Sequence, residues 1–459
     1  MRPAVKKNIF CLFLLAAVLA AGTQAAAGRQ FPVYKVIEPN VLFWEKVYGS
    51  YTSRQGILHD KDNLDIIYTV VNLVDWNTPG ASRINNKLVK FARQHYKKIL
   101  SDLAGGIKPR TREEKRIATL FIRSRHPSYR RARDNIRLQI GQKDRFQAGV
   151  IRSGAYMPAI KRVLHSQGLP LELAYLPHVE SSFHPKAHSK ASAVGLWQFT
   201  RSTGRNYMVI NDVVDERYDI YLSSVAAAKF LKENYQQLNS WPLALTAYNY
   251  GRAGMVRAQR QYGSYEKIFK SHNTRLFKFA SKNFYSEFIA ALRVARRLEK
   301  DPAIVKDRPW ANATIRLRGF AAARDLRKYF GVSEQDFTRL NPALLKPVLE
   351  GKKYAPKGYL LRLPATKIIR NRLQKIPGRL FHSSQIKDGV YTVKKGDTAA
   401  AIARRYKIPL KELSRANNLN SSATIRVGRK LMIPARGMSS AAGSQVKVIT
   451  LQATSKRKP

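Results

Sequence analysis

From Arg145 to about Lys300, apolar residues return every three to four positions. The pattern breaks only at turn signals, Gly168-Leu169-Pro170, His184-Pro185, Ser240-Trp241-Pro242 and Tyr250-Gly251. This period fits one face of an α-helix and not the two-residue alternation of a half-buried strand. It predicts a compact all-helical domain of ordinary size. "LSSVAAAKFLKENYQQL" and "FYSEFIAALRVARRLEK" are its plainest amphipathic helices.

A chain of 459 residues exceeds what one core organises, so flanking domains are expected. Residues 28–144 read as a helical N-terminal region, in which "NVLFWEKVYGSY" and "NLDIIYTVVNLVDW" carry aromatic and apolar residues at three-to-four spacing. No catalytic constellation stands there. Residues 1–27 combine a basic start, an apolar run from Ile9 to Ala21 and small residues around Ala25 to Ala27. The run is shorter than the ~20 residues of a spanning helix, so it reads as a secretory signal. An exported protein of the periplasm or cell envelope is expected. The only cysteine, Cys11, lies inside that run, so the mature chain would fold without disulfides and a lipid-modified N-terminus is not indicated.

After "DPAIVKDRPW" the texture changes to short extended stretches around short helices. "IRLRGFAAARDLRKYFGVSEQDFTRLNPALL" followed by "PKGYLLRLP" looks like "YTVKKGDTAAAIARRYKIPLKELSRANNL" followed by "IRVGRKLMIP". Both read as strand, helix, turn, helix, strand, with Leu340-Asn341 echoing Ala416-Asn417, which predicts a repeated β-α-α-β module. Residues 365–388 between them read as a basic linker and 435–459 as a basic disordered tail. The net charge of +53 would attract polyanions. For an exported protein these are an anionic membrane, lipopolysaccharide or an acidic wall polymer, and nucleic acid is not an expected partner.

Chemistry points to one residue. In "LPLELAYLPHVESSF", Leu173, Leu176 and Glu180 follow at spacings of three and four, so Glu180 ends an apolar stripe in a helix that Pro170 would open. A carboxyl against hydrocarbon resists ionisation and can donate a proton near neutrality; the bland alternative is a solvated helix end. Most glycosidases use two carboxylates. Here none follows Glu180 before Asp212, although Asp212, Asp215, Glu216 or Asp219 could supply a second. A lone carboxyl suffices if the attacking hydroxyl belongs to the substrate. His178, Glu180, His184 and His188 cluster as zinc ligands might, but Pro185 breaks the helix that would align them, so neither metal nor cofactor is expected.

"ELAYLPHVESSFHPKAHSKASAVGLWQFT", "ALTAYNYG" and "ASKNFYSEFIAA" resemble, in order and spacing, the motifs of the family 1 lytic transglycosylases, most closely the membrane-bound lytic murein transglycosylase D group. The resemblance covers 145–300 and implies a lysozyme-like domain. It also implies cleavage of the β-1,4 bond between N-acetylmuramic acid and N-acetylglucosamine, leaving 1,6-anhydro ends on peptidoglycan strands. By it, Glu180 is the acid/base, and Ser181, Ser189, Gln198, Tyr248, Asn249 and Tyr285 contact sugar. Phe284 holds the strictly aligned position of the last of these. Ser192 and Val194 stand where the family often has Gly and Ala. "YTVKKGDTAAAIARRYKIPLKELSRANNLNSSATIRVGRKLMIP" resembles a LysM module, here 389–434, with Gly396, Asp397 and Thr398 as its glycan-binding turn; 313–364 resembles a degenerate copy without that turn. The expected class is thus mainly α: a lysozyme-like helical catalytic domain, preceded by a helical region and followed by LysM-like modules, in a monomer. The rivals are a hydrolytic muramidase of the same fold, a non-enzymatic wall-binding scaffold and a general polyanion binder.

Overall fold

The computed structural model describes residues 30–124, 128–386, 389–406 and 408–434. The expected secretory signal and basic tail lie outside the described residues. The chain forms two compact units, one of residues up to 200 plus 220–309, the other of 201–219 plus 310 onward. The fold is mainly α, with a few short strands.

The first unit opens with α1 (Glu38–Gly49), which Pro39 helps to start and which buries Val41, Phe43, Trp44, Val47 and Tyr48. An antiparallel sheet follows, β1 (Gln55–Asp60) flanked by β2 (Ile67–Asn72) and β3 (Ile136–Ile140), in the order β2-β1-β3 with a register shift at Leu58/His59. The stretch "IYTVVN" read as helix is therefore a strand. Its β-branched and aromatic residues favour an extended, half-buried surface, and a run this short satisfies either period. Two helices, α2 (Ala81–Ala104) and α3 (Arg112–Ser124), cover the sheet through Tyr68, Val89, Tyr96, Ile99, Leu100, Ile117 and Phe121.

The second half of this unit is helical: α4 (Lys143–Ser153), α5 (Met157–Ser166), a 3-10 turn at Leu171–Tyr175, α6 (Leu176–Ser181), α7 (Ile220–Leu238), α8 (Trp241–Tyr250), α9 (Arg252–Tyr262), α10 (Tyr265–Ser271) and α11 (Phe279–Leu298). The turn signals fall between elements for stated reasons. Ser240 is the N-cap residue of α8, with Pro242 in its first turn, and Gly251 ends it at φ 97°, where a side chain would be strained. α11 is the central strut, packing against α1, α4, α6 and α8. Its face of Phe284, Phe288, Ala291 and Ala295 is buried.

In the second unit, β4 (Asn312–Arg316), α12 (Ala323–Phe330), α13 (Glu334–Leu340) and β5 (Leu360–Pro364) form one module. Residues 365–388 are not a plain linker. They contain α14 (Lys367–Gln374), whose Ile369 and Leu373 join that module's core with Ile376 and Phe381. Apolar residues there are sparse but fall at helical spacing. Residues 201–219 also belong to this unit. Val213 and Val214 enter the same core, the Leu345 amide donates to Val213 O at 3.0 Å, and Arg362 pairs with buried Asp219. A second module comprises β6 (Gly389–Thr392), α15 (Ala399–Arg405), α16 (Leu410–Ala416) and β7 (Lys430–Ile433). One device recurs in both modules. Asn341 Nδ2 donates to Phe337 O and Arg362 O while its Oδ1 accepts from Arg362 N. Asn417 does the same with Leu413 O, Met432 O and Met432 N. Each asparagine stitches the end of the second helix to the closing strand.

Candidate active site

Glu180 sits near the end of α6, a helix only six residues long. The element is composite: Pro170 caps a 3-10 turn, and Pro177 lies in the first turn of the α-helical part. Leu173 and Leu176 are fully buried, as their shared face requires. After Glu180 the chain reverses through two consecutive left-handed residues, Ser182 (φ 48°) and Phe183 (φ 55°). Each costs roughly 1–2 kcal/mol for a residue with a Cβ. Full burial of the Phe183 ring returns about 1.5–3 kcal/mol, and the Arg152 guanidinium donates to Ser182 O at 2.7 Å. Gly149 of α4 completes the seat, because a Cβ there would come within 2.9 Å of Ser182 O.

Glu180 is half-buried, and its carboxyl is pushed up to about 8, first by burial and then by repulsion from Glu287. Glu287, on α11, is itself pushed up to about 8 by burial, against the pull of Arg137 and a hydrogen bond with Tyr48. Tyr48 of α1 and Tyr248 of α8 both feel the Glu180 charge, and burial raises both hydroxyls well above the usual tyrosine range. One cluster thus gathers Glu180, Glu287, Tyr48 and Tyr248 from four helices. Sequence reasoning missed Glu287, although the signal was present. It stands on the buried stripe of α11 at three after Phe284 and four before Ala291, which is the argument that singled out Glu180.

The adjoining wall is built from "GLWQF". The Trp197 ring is fully buried and donates from Nε1 to Ser224 Oγ at 2.9 Å; the Tyr248 hydroxyl donates to Trp197 O at 2.8 Å. The Tyr248 ring lies 6.5 Å from Phe284 and nearly parallel to it. Ser181 Oγ reaches Leu196 O at 2.8 Å and Pro177 O at 3.2 Å, so it ties α6 to this wall. Gln198, left-handed at φ 48°, spends its amide nitrogen on Gly195 O (2.8 Å) and Ala187 O (3.2 Å). Exposed Ser189 accepts from Ala193 N at 3.0 Å, which closes a small hairpin loop with left-handed Ser192. Asn249 is exposed, and its Oδ1 accepts from Ser281 Oγ at 2.7 Å, leaving amide N–H groups toward solvent. Tyr285 is corrected. It is fully buried, its hydroxyl donates to Pro32 O at 2.9 Å, and its ring meets Tyr265. The next residue round a helix faces about 100° away, so Phe284 rather than Tyr285 borders Tyr248.

His178 turns inward among Phe146, Tyr175 and Phe183 and is held neutral, its pKa lowered to about 3 by burial and then by Arg152. His184 and His188 are exposed, so the three histidines share no face. Of the four acids named as a second carboxylate, Asp212 is exposed and the other three are engaged within the second unit. Asp215 pairs with Arg217 at 2.7 Å, both buried, Asp219 pairs with Arg362, and Glu216 accepts from Val209 N at 2.7 Å. In the last module Gly396 takes φ 86°, Asp397 accepts from Tyr391 Oη (2.7 Å) and Lys394 N (2.8 Å), and Thr398 caps α15 through Ala401 N. That turn is needed by the fold whether or not it touches a ligand.

Residues 157–270 match the Transglycosylase SLT domain family and residues 391–434 the LysM domain family. The chain is 26% identical over 318 residues to the membrane-bound lytic murein transglycosylase D of Escherichia coli K12, covering 67% of this chain and 70% of that protein. A shorter match, 33% identical over 109 residues, covers 23% of this chain and 53% of a putative tributyltin chloride resistance protein of an Alteromonas strain. Among solved structures, the lytic transglycosylase Slt of Pseudomonas aeruginosa overlaps with a TM-score of 0.27 and 12% identity over 50% of this chain and 35% of that one. The soluble lytic transglycosylase of Escherichia coli overlaps with a TM-score of 0.28 and 14% identity over 52% of this chain and 39% of that one.

Proposed function

We propose that the protein is a peptidoglycan lytic transglycosylase that cleaves the β-1,4 bond between N-acetylmuramic acid and N-acetylglucosamine, using Glu180 alone as acid and then base. The observation that carries this reading is a carboxyl kept protonated near neutrality by burial, with Glu287 and Tyr248 as its neighbours. Glu180 gives its proton to the glycosidic oxygen as the C1–O bond breaks. The resulting carboxylate then takes the proton of the muramic acid C6 hydroxyl as its oxygen bonds to C1, which closes the 1,6-anhydro ring. No activated water enters, and the acid returns to its starting state.

A hydrolase would require a second, ionised carboxylate. Glu287, the carboxyl that repels Glu180, is itself pushed toward the neutral form, and Asp215 and Asp219 are committed to arginines. Ser189, Asn249 and the remaining acceptor of Gln198 are the polar groups we assign to sugar, with Tyr248 and Phe284 as the apolar face; Ser181 braces the wall. The Gly396-Asp397-Thr398 module holds the enzyme on insoluble glycan, so even weak binding raises the local substrate concentration. An envelope location follows from the substrate.

Digestion of purified peptidoglycan by the wild-type and Glu180→Gln proteins, followed by product masses, tests this. Anhydro ends from the wild type and none from the variant are expected. Reducing ends would point to hydrolysis, and equal release by both proteins would remove Glu180 from the chemistry.

A further inference from the structure

The helical hairpin α2–α3 exposes apolar side chains that the catalytic reading does not use. Ile84, Leu88 and Phe91 are 39%, 40% and 77% exposed, and Ile107 in the connection and Ile122 on α3 are also exposed. Positions 84, 88 and 91 fall within roughly 60° of one another around the helix and form a stripe along about two turns. That stripe borders the face carrying Asn85, Val89, Tyr96 and Leu100, which is buried. On its other side lie exposed Arg83, Lys87, Lys90 and Lys97. The only acidic residue of α2, Asp102, is paired with Lys98 at 2.8 Å. In cross-section the helix has a core face, an apolar edge and a basic face, on which Lys97 lies near Asp134 and Arg83, Lys87 and Lys90 carry the remaining charge.

We propose that this edge of α2 docks on the surface of an anionic lipid bilayer. Ile84, Leu88 and Phe91 enter the boundary between headgroups and acyl chains, and Arg83, Lys87 and Lys90 lie against the lipid phosphates. Charge selects this occupant: a neutral protein groove would leave the adjoining cations unmatched, whereas an anionic interface satisfies apolar and cationic groups side by side. Among the described residues no helix is long and apolar enough to cross a membrane, so such contact would be peripheral. The enzyme would be held over the layer from which the glycan is worked, independently of its LysM module.

The test is sedimentation of the full chain with phosphatidylglycerol-containing vesicles, comparing the wild type, Leu88→Ser/Phe91→Ser and Lys87→Glu/Lys90→Glu. All four positions are exposed, and unchanged circular dichroism and peptidoglycan binding verify the fold. Each double variant is expected to lower vesicle affinity by more than about tenfold. Wild-type affinity in the serine variant would overturn the proposal by reducing the binding to net charge alone. So would a wild-type dimer that the serine variant dissolves while vesicle binding stays unchanged, which would make the stripe a contact between copies of this chain.

Discussion

A carboxyl serves as an acid near neutrality only if its surroundings make ionisation costly, and in Glu180 two neighbours do so, hydrocarbon and a second carboxyl. The acid is competent while protonated, so activity is expected to fall as pH rises through about 8. Glu287→Gln removes the repelling charge, so the alkaline limb of the pH–rate profile should move to lower pH; an unmoved limb would mean that the two groups do not interact. Burial is the larger cause, so the limb stays above the usual carboxyl range. The same shift has a cost in stability. A group whose folded-state pKa is raised binds more protons folded than unfolded, so its contribution is fully present at acid pH and is lost as pH rises from the usual carboxyl range through about 8. The Tm gain of Glu180→Gln over the wild type should therefore be larger at pH about 8 than at pH about 4, as calorimetry would read.

At the scale of elements, the site depends on how closely backbones approach. α6 is too short to be stable alone, and its last turn is held by Gly149 of α4 against Ser182. Gly149→Ala pushes a methyl onto a carbonyl that is also tied to Arg152. It should cost about 1–3 kcal/mol in denaturant unfolding and lower kcat more than KM, because Glu180 would be displaced from its neighbours. The stitching asparagines offer a second test. Asn417→Ala removes two hydrogen bonds to Met432 of β7 and one to Leu413 O of α16, and leaves backbone groups in need of partners. About 2–3 kcal/mol should be lost from that module, with sugar-cleaving activity on soluble fragments untouched. Asn341→Ala should do the same to the other module, read by amide exchange in each.

Over the whole molecule, the proposed function makes catalysis and retention on the substrate separate tasks. A chain ending before residue 389 should cleave soluble glycan fragments like the full chain but bind and digest insoluble sacculi more weakly. Equal digestion of both substrates would remove retention from the second module's role. The buried Asp219–Arg362 pair sits in the core region that residues 201–219 share with the first module. Breaking it with Arg362→Met removes one charged partner of a buried carboxylate and should cost about 1–3 kcal/mol by chemical denaturation.

The mainly helical class, the burial that raises the Glu180 carboxyl and the LysM segment could be read from the chain because each rests on short-range pattern. Helical period, a carboxyl on an apolar stripe and a Gly-Asp-Thr turn are all visible within about 45 residues, and the family matches at 157–270 and 391–434 fall on the stretches that carried the resemblance. Where short-range pattern is ambiguous it misled. "IYTVVN" satisfies both periods and became a strand because β1 and α2 cover it, and α14 was too polar to announce itself until Ile369 and Leu373 found a core. Tertiary structure alone buried Tyr285, bonded its hydroxyl to a residue 253 positions distant and brought Glu287 near Glu180. The physical reason is that a pattern records which face of an element avoids water, whereas the ionisation of a carboxyl depends on what other elements place against it.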